Sequence, residues 1–387
     1  MEPVELAALL AGLVLLASMV SVELGVTVAL LELTLGVAAG NVFDLESQAW
    51  LEFLASFASI VLTFLAGMEV DPRYMRRRWE ASAGIGVLSF VGPFLVASAA
   101  AYLLLDWSAR ASLITGTALS TTSLAVVYAV LVERRLTDTS IGKLLMSATF
   151  VTDLCTALAL SAIFVTPNVW FPVFLLVSLA LIVALPRIAP WFFGRYGDRV
   201  IEPEIKLVFV CLLVLMVLAD ASNGHAVLPA FVLGLVMSRH YLEHREEQKR
   251  LRVVAFAFLT PFFFLKGGLN VSLGAVAGNL TLLFVLLAAK MVPKIALVYP
   301  LAARADRRHG AFTTLLMSTG LTFGTISSLY GLNAGIIDTT QFSLLITVVV
   351  LSAVVPTAIA ERWFLPDAER ERRLDRRLAY LRSEEYV

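Results

Sequence analysis

Cysteine and histidine are scarce in this chain, at two and four copies in 387 residues. Both thiols, Cys155 and Cys211, fall inside apolar runs, so they read as buried structural thiols rather than a disulfide framework or a zinc site. No HExxH, no GxSxG and no paired catalytic aspartates occur. Their absence argues against an intramembrane protease or hydrolase, and no enzymatic activity is expected. Neither a nucleotide-binding fingerprint nor a nucleic-acid module is present, so no cofactor and no DNA or RNA partner is expected. The first apolar run lacks a basic leading region and a small-residue cleavage pattern, and is expected to be retained as a helix. Charge is also thin, at 16% of residues with a net value of zero.

Apolar residues, by contrast, make up 59% of the chain, with a mean hydropathy of +0.85, against about 45–50% in a soluble domain. Runs of the length needed to cross about 30 Å of hydrocarbon occur at about thirteen places. They cover residues 4–22, 25–41, 49–68, 82–105, 110–131, 141–164, 168–186, 205–221, 224–238, 253–273, 277–300, 310–331 and 341–360. The expected fold is an all-α polytopic membrane protein. All but four of the 30 basic residues then fall in alternate loops and in the C-terminal tail, the exceptions being Arg110, Lys266, Lys290 and Lys294. That asymmetry predicts a cell (inner) membrane protein with its N-terminus outside and its C-terminus in the cytoplasm. The tail, residues 365–387, is short and charged and reads as an amphipathic helix from Asp367 onward. Glu69 and Asp71 stand beside Arg76, Arg77 and Arg78, where surface pairing accounts for them.

Two runs are interrupted by small and polar residues. The fifth contains Gly116-Thr117-Ala118-Leu119-Ser120-Thr121-Thr122-Ser123, and the twelfth contains Ser318-Thr319-Gly320-Leu321-Thr322-Phe323-Gly324-Thr325. Each is the middle member of a group of three runs, and the two point in opposite directions. Such a pattern predicts inverted repeats with two broken helices meeting near the membrane midplane.

Asp153 sits near the middle of an otherwise uncharged stretch, Leu144 to Phe164. A carboxylate at that depth is costly and marks an ion or proton site. Thr149 shares its helix face and Thr152 adjoins it. With Thr122, Ser123 and the carbonyls of a broken helix, these hydroxyls offer the hard oxygen ligands that a desolvated cation needs. A proton and a cation competing for one carboxylate suffice for exchange. Lys290 and Lys294, four apart, share a face and are candidates for the cation that tunes the acid. Lys266, before Gly267-Gly268, is a third amine in a span and a third candidate charge-tuning lysine, with an ion pair to an acid as its alternative. Glu32 is a second deep acid, ranked below Asp153, with a helix-packing role as its alternative.

Several short stretches in order along the chain resemble the monovalent cation/proton antiporter-2 family over about residues 20–360. They are Leu31-Glu32-Leu33 leading to Gly36 and Gly40, Phe64-Leu65-Ala66-Gly67-Met68-Glu69-Val70-Asp71, and Ala118-Leu119-Ser120-Thr121-Thr122. Pro261-Phe262-Phe263-Phe264 with Gly268, and Lys294-Ile295-Ala296-Leu297, complete the set. The resemblance implies a homodimer, with dimerisation elements at about 1–68 and 168–238 and a mobile core at about 82–164 and 277–360. It also implies elevator-type exchange of Na⁺ for H⁺ at Asp153, beside crossed broken helices that include Ser120, Thr121, Gly320, Thr322 and Gly324. The family lysine is matched by Lys294 in spacing and by Lys290 in depth. Two departures matter. Thr152 stands where electrogenic members carry a second acid, which predicts electroneutral exchange. Thr322 stands where potassium efflux members often carry Glu, and no nucleotide-binding domain follows. Li⁺ or K⁺ as the cation, a potassium/proton antiporter of the same family, and a sodium-coupled organic-anion symporter of similar fold are the alternatives.

Overall fold

The computed structural model describes residues 2–24, 27–43, 48–68, 78–137, 139–163, 168–197 and 199–373. Glu69, Asp71, Arg76, Arg77 and the tail beyond Arg373 lie outside them, and with them the surface pairing and most of the expected tail helix. Among the described residues every regular element is helical. The elements are α1 (Pro3–Leu24), α2 (Val28–Phe43), α3 (Ala49–Met68), α4 (Trp79–Leu103), α5 (Ala109–Ser120), α6 (Leu124–Glu133), α7 (Ser140–Ile163) and α8 (Phe171–Tyr196). They continue with α9 (Pro203–Ala221), α10 (Val227–Glu243), α11 (Arg245–Leu269), α12 (Leu273–Gly278), α13 (Leu280–Ala305), α14 (Gly310–Met317), α15 (Thr322–Asn333) and α16 (Thr339–Trp363). Eight of these, α1, α3, α4, α7, α8, α11, α13 and α16, are long and apolar enough to cross a membrane, and α2 and α10 are shorter apolar helices.

Each of the expected spans overlaps a helix or a broken pair, with corrected ends. The seventh run does not stop at Pro186: α8 continues to Tyr196 through Pro186 and Pro190 and carries Arg187 and Arg195 on its last turns. Proline removes a donor, but in hydrocarbon an unwound backbone would expose more unsatisfied groups than one missing bond. The tenth run starts early, at Arg245, and a π turn at Ala255–Leu259 precedes Thr260 and Pro261. Cys211 is buried as expected, whereas Cys155 is partly exposed.

The chain divides into two compact units. One comprises Met1–Pro72, Leu154–Gly278 and Asp338–Ser343. Here the motif glycines are crossing points: a Cβ on Gly36 or Gly40 would strike the carbonyl of Leu265 or Leu269, and one on Gly268 the carbonyl of Leu33. Gly67 and Gly234 meet in the same way between α3 and α10. Small residues let membrane helices approach closely where no hydrophobic force drives them together. Asn41 then ties α2 to the end of α11, donating to Val271 O at 2.7 Å and accepting from Leu273 N at 2.9 Å.

The other unit comprises Arg73–Asp153, Asn279–Ile337 and Leu344–Val387. It holds both broken helices. An apolar cluster including Ile85, Leu145, Val298, Phe312 and Leu316 forms its core.

Candidate functional site

The two breaks fall in hydroxyl-rich sequence that contains no proline. Ser and Thr side chains can take over backbone carbonyls and so compete with continued helix. After α5, Ser120 Oγ donates to Thr117 O at 2.9 Å and Thr121 Oγ1 to Ala118 O at 3.1 Å, while Thr121 turns extended at φ −66° and ψ 156°. After α14, Ser318 Oγ donates to Thr314 O and Thr319 Oγ1 to Leu316 O, both at 2.8 Å. Ser123 starts the second half-helix, its Oγ accepting from Val126 N at 3.4 Å in the N-cap position. These hydroxyls bond to their own backbone at the points where the two helices end.

The breaks are joined to each other. Thr122 Oγ1 donates to Met317 O at 2.8 Å, and Ser123 N donates to Thr319 Oγ1 at 3.3 Å. Glycine permits the crossing: a Cβ on Gly320 would lie 2.8 Å from Thr121 O and overlap Lys290 Nζ, and one on Gly324 would lie 3.1 Å from Ala118 O.

Lys294 seals this junction. Its ammonium donates to Thr121 O at 2.6 Å, Met317 O at 2.8 Å and Thr122 Oγ1 at 3.1 Å. An ammonium has three donors, and all are used. Two of the acceptors are carbonyls at the C-terminal ends of half-helices α5 and α14, where the helix dipole is negative and orphan acceptors collect. Lys290, one turn away, is also fully buried, yet its Nζ has no hydrogen-bond partner.

Asp153 is 1% exposed and its Oδ1 has no partner. It makes no ion pair within 4 Å among the described residues, but Lys294 lies within its electrostatic reach. Thr152 points its hydroxyl to Gly86 O and Ala148 O, each at 3.1 Å, and so fastens α7 to α4. Thr149 Oγ1 contacts Met317 Sδ at 3.6 Å. Thus Asp153, Thr149, Thr152, Thr122, Ser123, Lys290 and Lys294 belong to one compact unit, with Ser120, Thr121, Gly320, Thr322 and Gly324 of the broken helices. Ser89, whose Oγ lies 3.3 Å from Thr122 Oγ1, was not singled out by sequence, nor was Met317, whose backbone carbonyl is the acceptor that matters. A serine one turn beyond Gly86 carried a faint signal; a main-chain carbonyl carries none.

Lys266 and Glu32 fall in the other unit. Lys266 pairs with Glu52 at 3.9 Å, which supplies the acid that the sequence left unidentified. Glu32 is 1% exposed on α2, with Oε2 unpartnered.

An all-helical chain with many apolar spans, two broken helices crossing at glycine and buried charge beside the crossing defines a multi-pass membrane protein of the broken-helix transporter class. Residues 6–364 match the family model described as sodium/hydrogen exchanger, transmembrane, and the chain belongs to that family. It is 25% identical over 341 residues to the probable Na(+)/H(+) antiporter 3 of Methanocaldococcus jannaschii, covering 83% of this chain and 86% of that protein. It is 23% identical to Na(+)/H(+) antiporter NhaS4 of Synechocystis, covering 82% of this chain and 83% of that protein. Cation/H(+) antiporter 18 of Arabidopsis thaliana is 26% identical over 84% of this chain, which spans 43% of that longer protein. In three dimensions the chain resembles the sodium proton antiporter MjNhaP1 of M. jannaschii, with a TM-score of 0.67 and 13% identity over 92% of this chain and 95% of that one. At that identity the likeness speaks for the fold.

Proposed function

We propose that this protein is a secondary active antiporter that exchanges Na⁺ for H⁺ at Asp153. The observation that carries the reading is a buried carboxylate with an open oxygen, in the same compact unit as a broken-helix junction whose own polar groups are satisfied by Lys294. A carboxylate that is neither paired nor saturated can take either a proton or a cation, and holding one excludes the other. Thr149, Thr122 and Ser123 support the bound cation, and Lys294 supplies a fixed positive charge nearby. Thr152 acts as a helix fastener.

Two relatives whose names specify Na⁺/H⁺ exchange and that are matched over more than four-fifths of their length support sodium as the first candidate. With Thr152 in place of a second acid, the exchange is electroneutral, one cation for one proton. The unit containing the broken helices is the moving core of an elevator, the other unit forms the dimer contact, and the C-terminus faces the cytoplasm. The test is proton flux in proteoliposomes on addition of Na⁺, Li⁺ or K⁺ in turn, with and without a clamped potential. Flux driven by Na⁺ and insensitive to the clamp is expected. Na⁺ uptake that needs an organic anion and moves no protons would replace this reading with a symporter.

A further inference from the structure

The turn that links α13 to α14 and the first turn of the tail meet at a histidine. Asp306 closes the linking turn on itself, its Oδ1 accepting from Arg308 N at 3.0 Å and its carbonyl accepting from His309 N at 3.2 Å. Its other oxygen, Oδ2, lies 2.8 Å from His309 Nδ1. On the far side of the ring, His309 Nε2 faces Glu371 Oε1 at 3.6 Å. Glu371 is well placed from its own side. Asp367 caps its helical turn through the N–H groups of Glu369 and Arg370 at 3.0 and 3.2 Å, and Arg372 donates to Arg135 O at 2.9 Å. The His309 and Glu371 side chains are 11% and 8% exposed, so bulk water does little for either.

The hydrogen-bond roles leave a conflict. A carboxylate accepts, so Nδ1 carries the ring proton toward Asp306, and in the neutral ring Nε2 then presents a lone pair. That lone pair faces another acceptor, the Glu371 carboxylate, across a gap too long for a hydrogen bond. A positive centre between them removes the repulsion. Two ligand atoms each about 2.0–2.1 Å from a metal at a near-tetrahedral angle lie about 3.4 Å apart, close to the 3.6 Å found here. Asp306 supplies the partner carboxylate that metal-bound histidines usually have on their other nitrogen. One ligand atom from each of the three residues lies within 4.8 Å of the others.

We propose that His309 Nε2 and Glu371 Oε1 bind a divalent transition-metal cation of the zinc class, with Asp306 orienting the ring and water completing the shell. An imidazole–carboxylate donor set suits such ions better than Mg²⁺ or Ca²⁺, which favour all-oxygen shells. Binding pins the first turn of the tail to the end of α13, the helix that carries Lys290 and Lys294.

The test uses the purified full chain after chelator treatment, titrated with Zn²⁺ by calorimetry and with Co²⁺ by visible absorption at neutral pH. One saturable site per chain is expected, lost in His309→Gln and Glu371→Gln and weakened about tenfold or more in Asp306→Asn. Zn²⁺ should also raise hydrogen-exchange protection at residues 306–310 and 367–373 in the unmodified protein, a readout that does not depend on a variant folding. Absence of saturable binding, binding unchanged by both substitutions, or unchanged protection at these residues overturns the proposal. Protection that instead rises on acidification in chelator, without metal uptake, overturns it in favour of a protonated imidazole between the two carboxylates.

Discussion

Lys290 and Lys294 share a helix face and a depth of burial, yet they should respond oppositely to removal of their amines. Lys294→Met deletes three donors that satisfy Thr121 O, Met317 O and Thr122 Oγ1. Thr122 Oγ1 still bonds to Met317 O at 2.8 Å, so the Thr121 carbonyl at the end of α5 loses most. Neutral bonds between membrane helices average about 0.6 kcal/mol, and charge assistance roughly doubles such a bond. Three of them give about 2–4 kcal/mol of destabilisation. Lys290→Met deletes a terminal amine whose Nζ has no partner and leaves a similar volume of apolar stem. Replacing an unsatisfied buried polar group with a hydrophobe of like size is neutral or stabilising. Thermal unfolding of the two purified variants in one detergent, followed by tryptophan fluorescence, should therefore put Lys294→Met several degrees below the parent and Lys290→Met at or above it. Equal losses, or a larger loss for Lys290→Met, would refute the assignment of Lys294 as the residue that holds the breaks together.

Asp153→Asn should fold normally and lose cation-driven proton flux, because an amide keeps the shape but carries neither a titrating proton nor the negative charge that compensates a cation; flux near the parental rate would reject Asp153 as the carrier. Thr152→Val removes the hydroxyl bonds to Gly86 O and Ala148 O, so it should cost about 1 kcal/mol of stability and leave transport in place. Loss of transport without loss of folding would instead make Thr152 an ion ligand. Gly320→Ala places a methyl against Lys290 Nζ and Thr121 O and should impair transport. Part of that loss should return in the Gly320→Ala, Lys290→Ala double variant, and a purely additive double-mutant cycle would rule out the predicted clash. Gly268→Leu pushes into the Leu33 carbonyl and should lower the yield of folded protein; a parental melting temperature would show that α2 and α11 do not depend on close approach.

The sequence was most legible where chemistry and burial conflict. Asp153, Lys266, Lys290 and Lys294 stood out because charge in an apolar run is costly wherever the chain goes, and all four are buried. The two breaks were legible from clustered Ser, Thr and Gly in apolar context. Helix ends were read less well. Pro186 marked an end in sequence, but α8 runs ten residues beyond it to Tyr196, because proline's local cost is set against the larger cost of exposing backbone to lipid. Partners across the fold were hidden for a different reason. Glu52 looked like an ordinary residue at a helix start until the fold placed it against Lys266, and the acceptors of Lys294 are mostly main-chain carbonyls, which every residue possesses. His309 and Glu371 stand 62 residues apart and meet through tertiary structure alone.

The division of labour between the two charges bears on the role proposed for Asp153, an acid that carries a proton and a cation in turn. Had Lys294 formed a direct bridge to Asp153, each cation arriving at the carboxylate would have to break that bridge, and each proton would leave an ammonium without partners in a dry site. Instead the donors of Lys294 are committed to the half-helix ends and the Thr122 hydroxyl. The positive charge still acts on Asp153 through space, since Coulomb interaction falls off slowly where water is scarce. The acid is then offset in charge without being occupied in geometry. A carrier in that condition can exchange a proton for a cation without remaking the junction that holds the broken helices together.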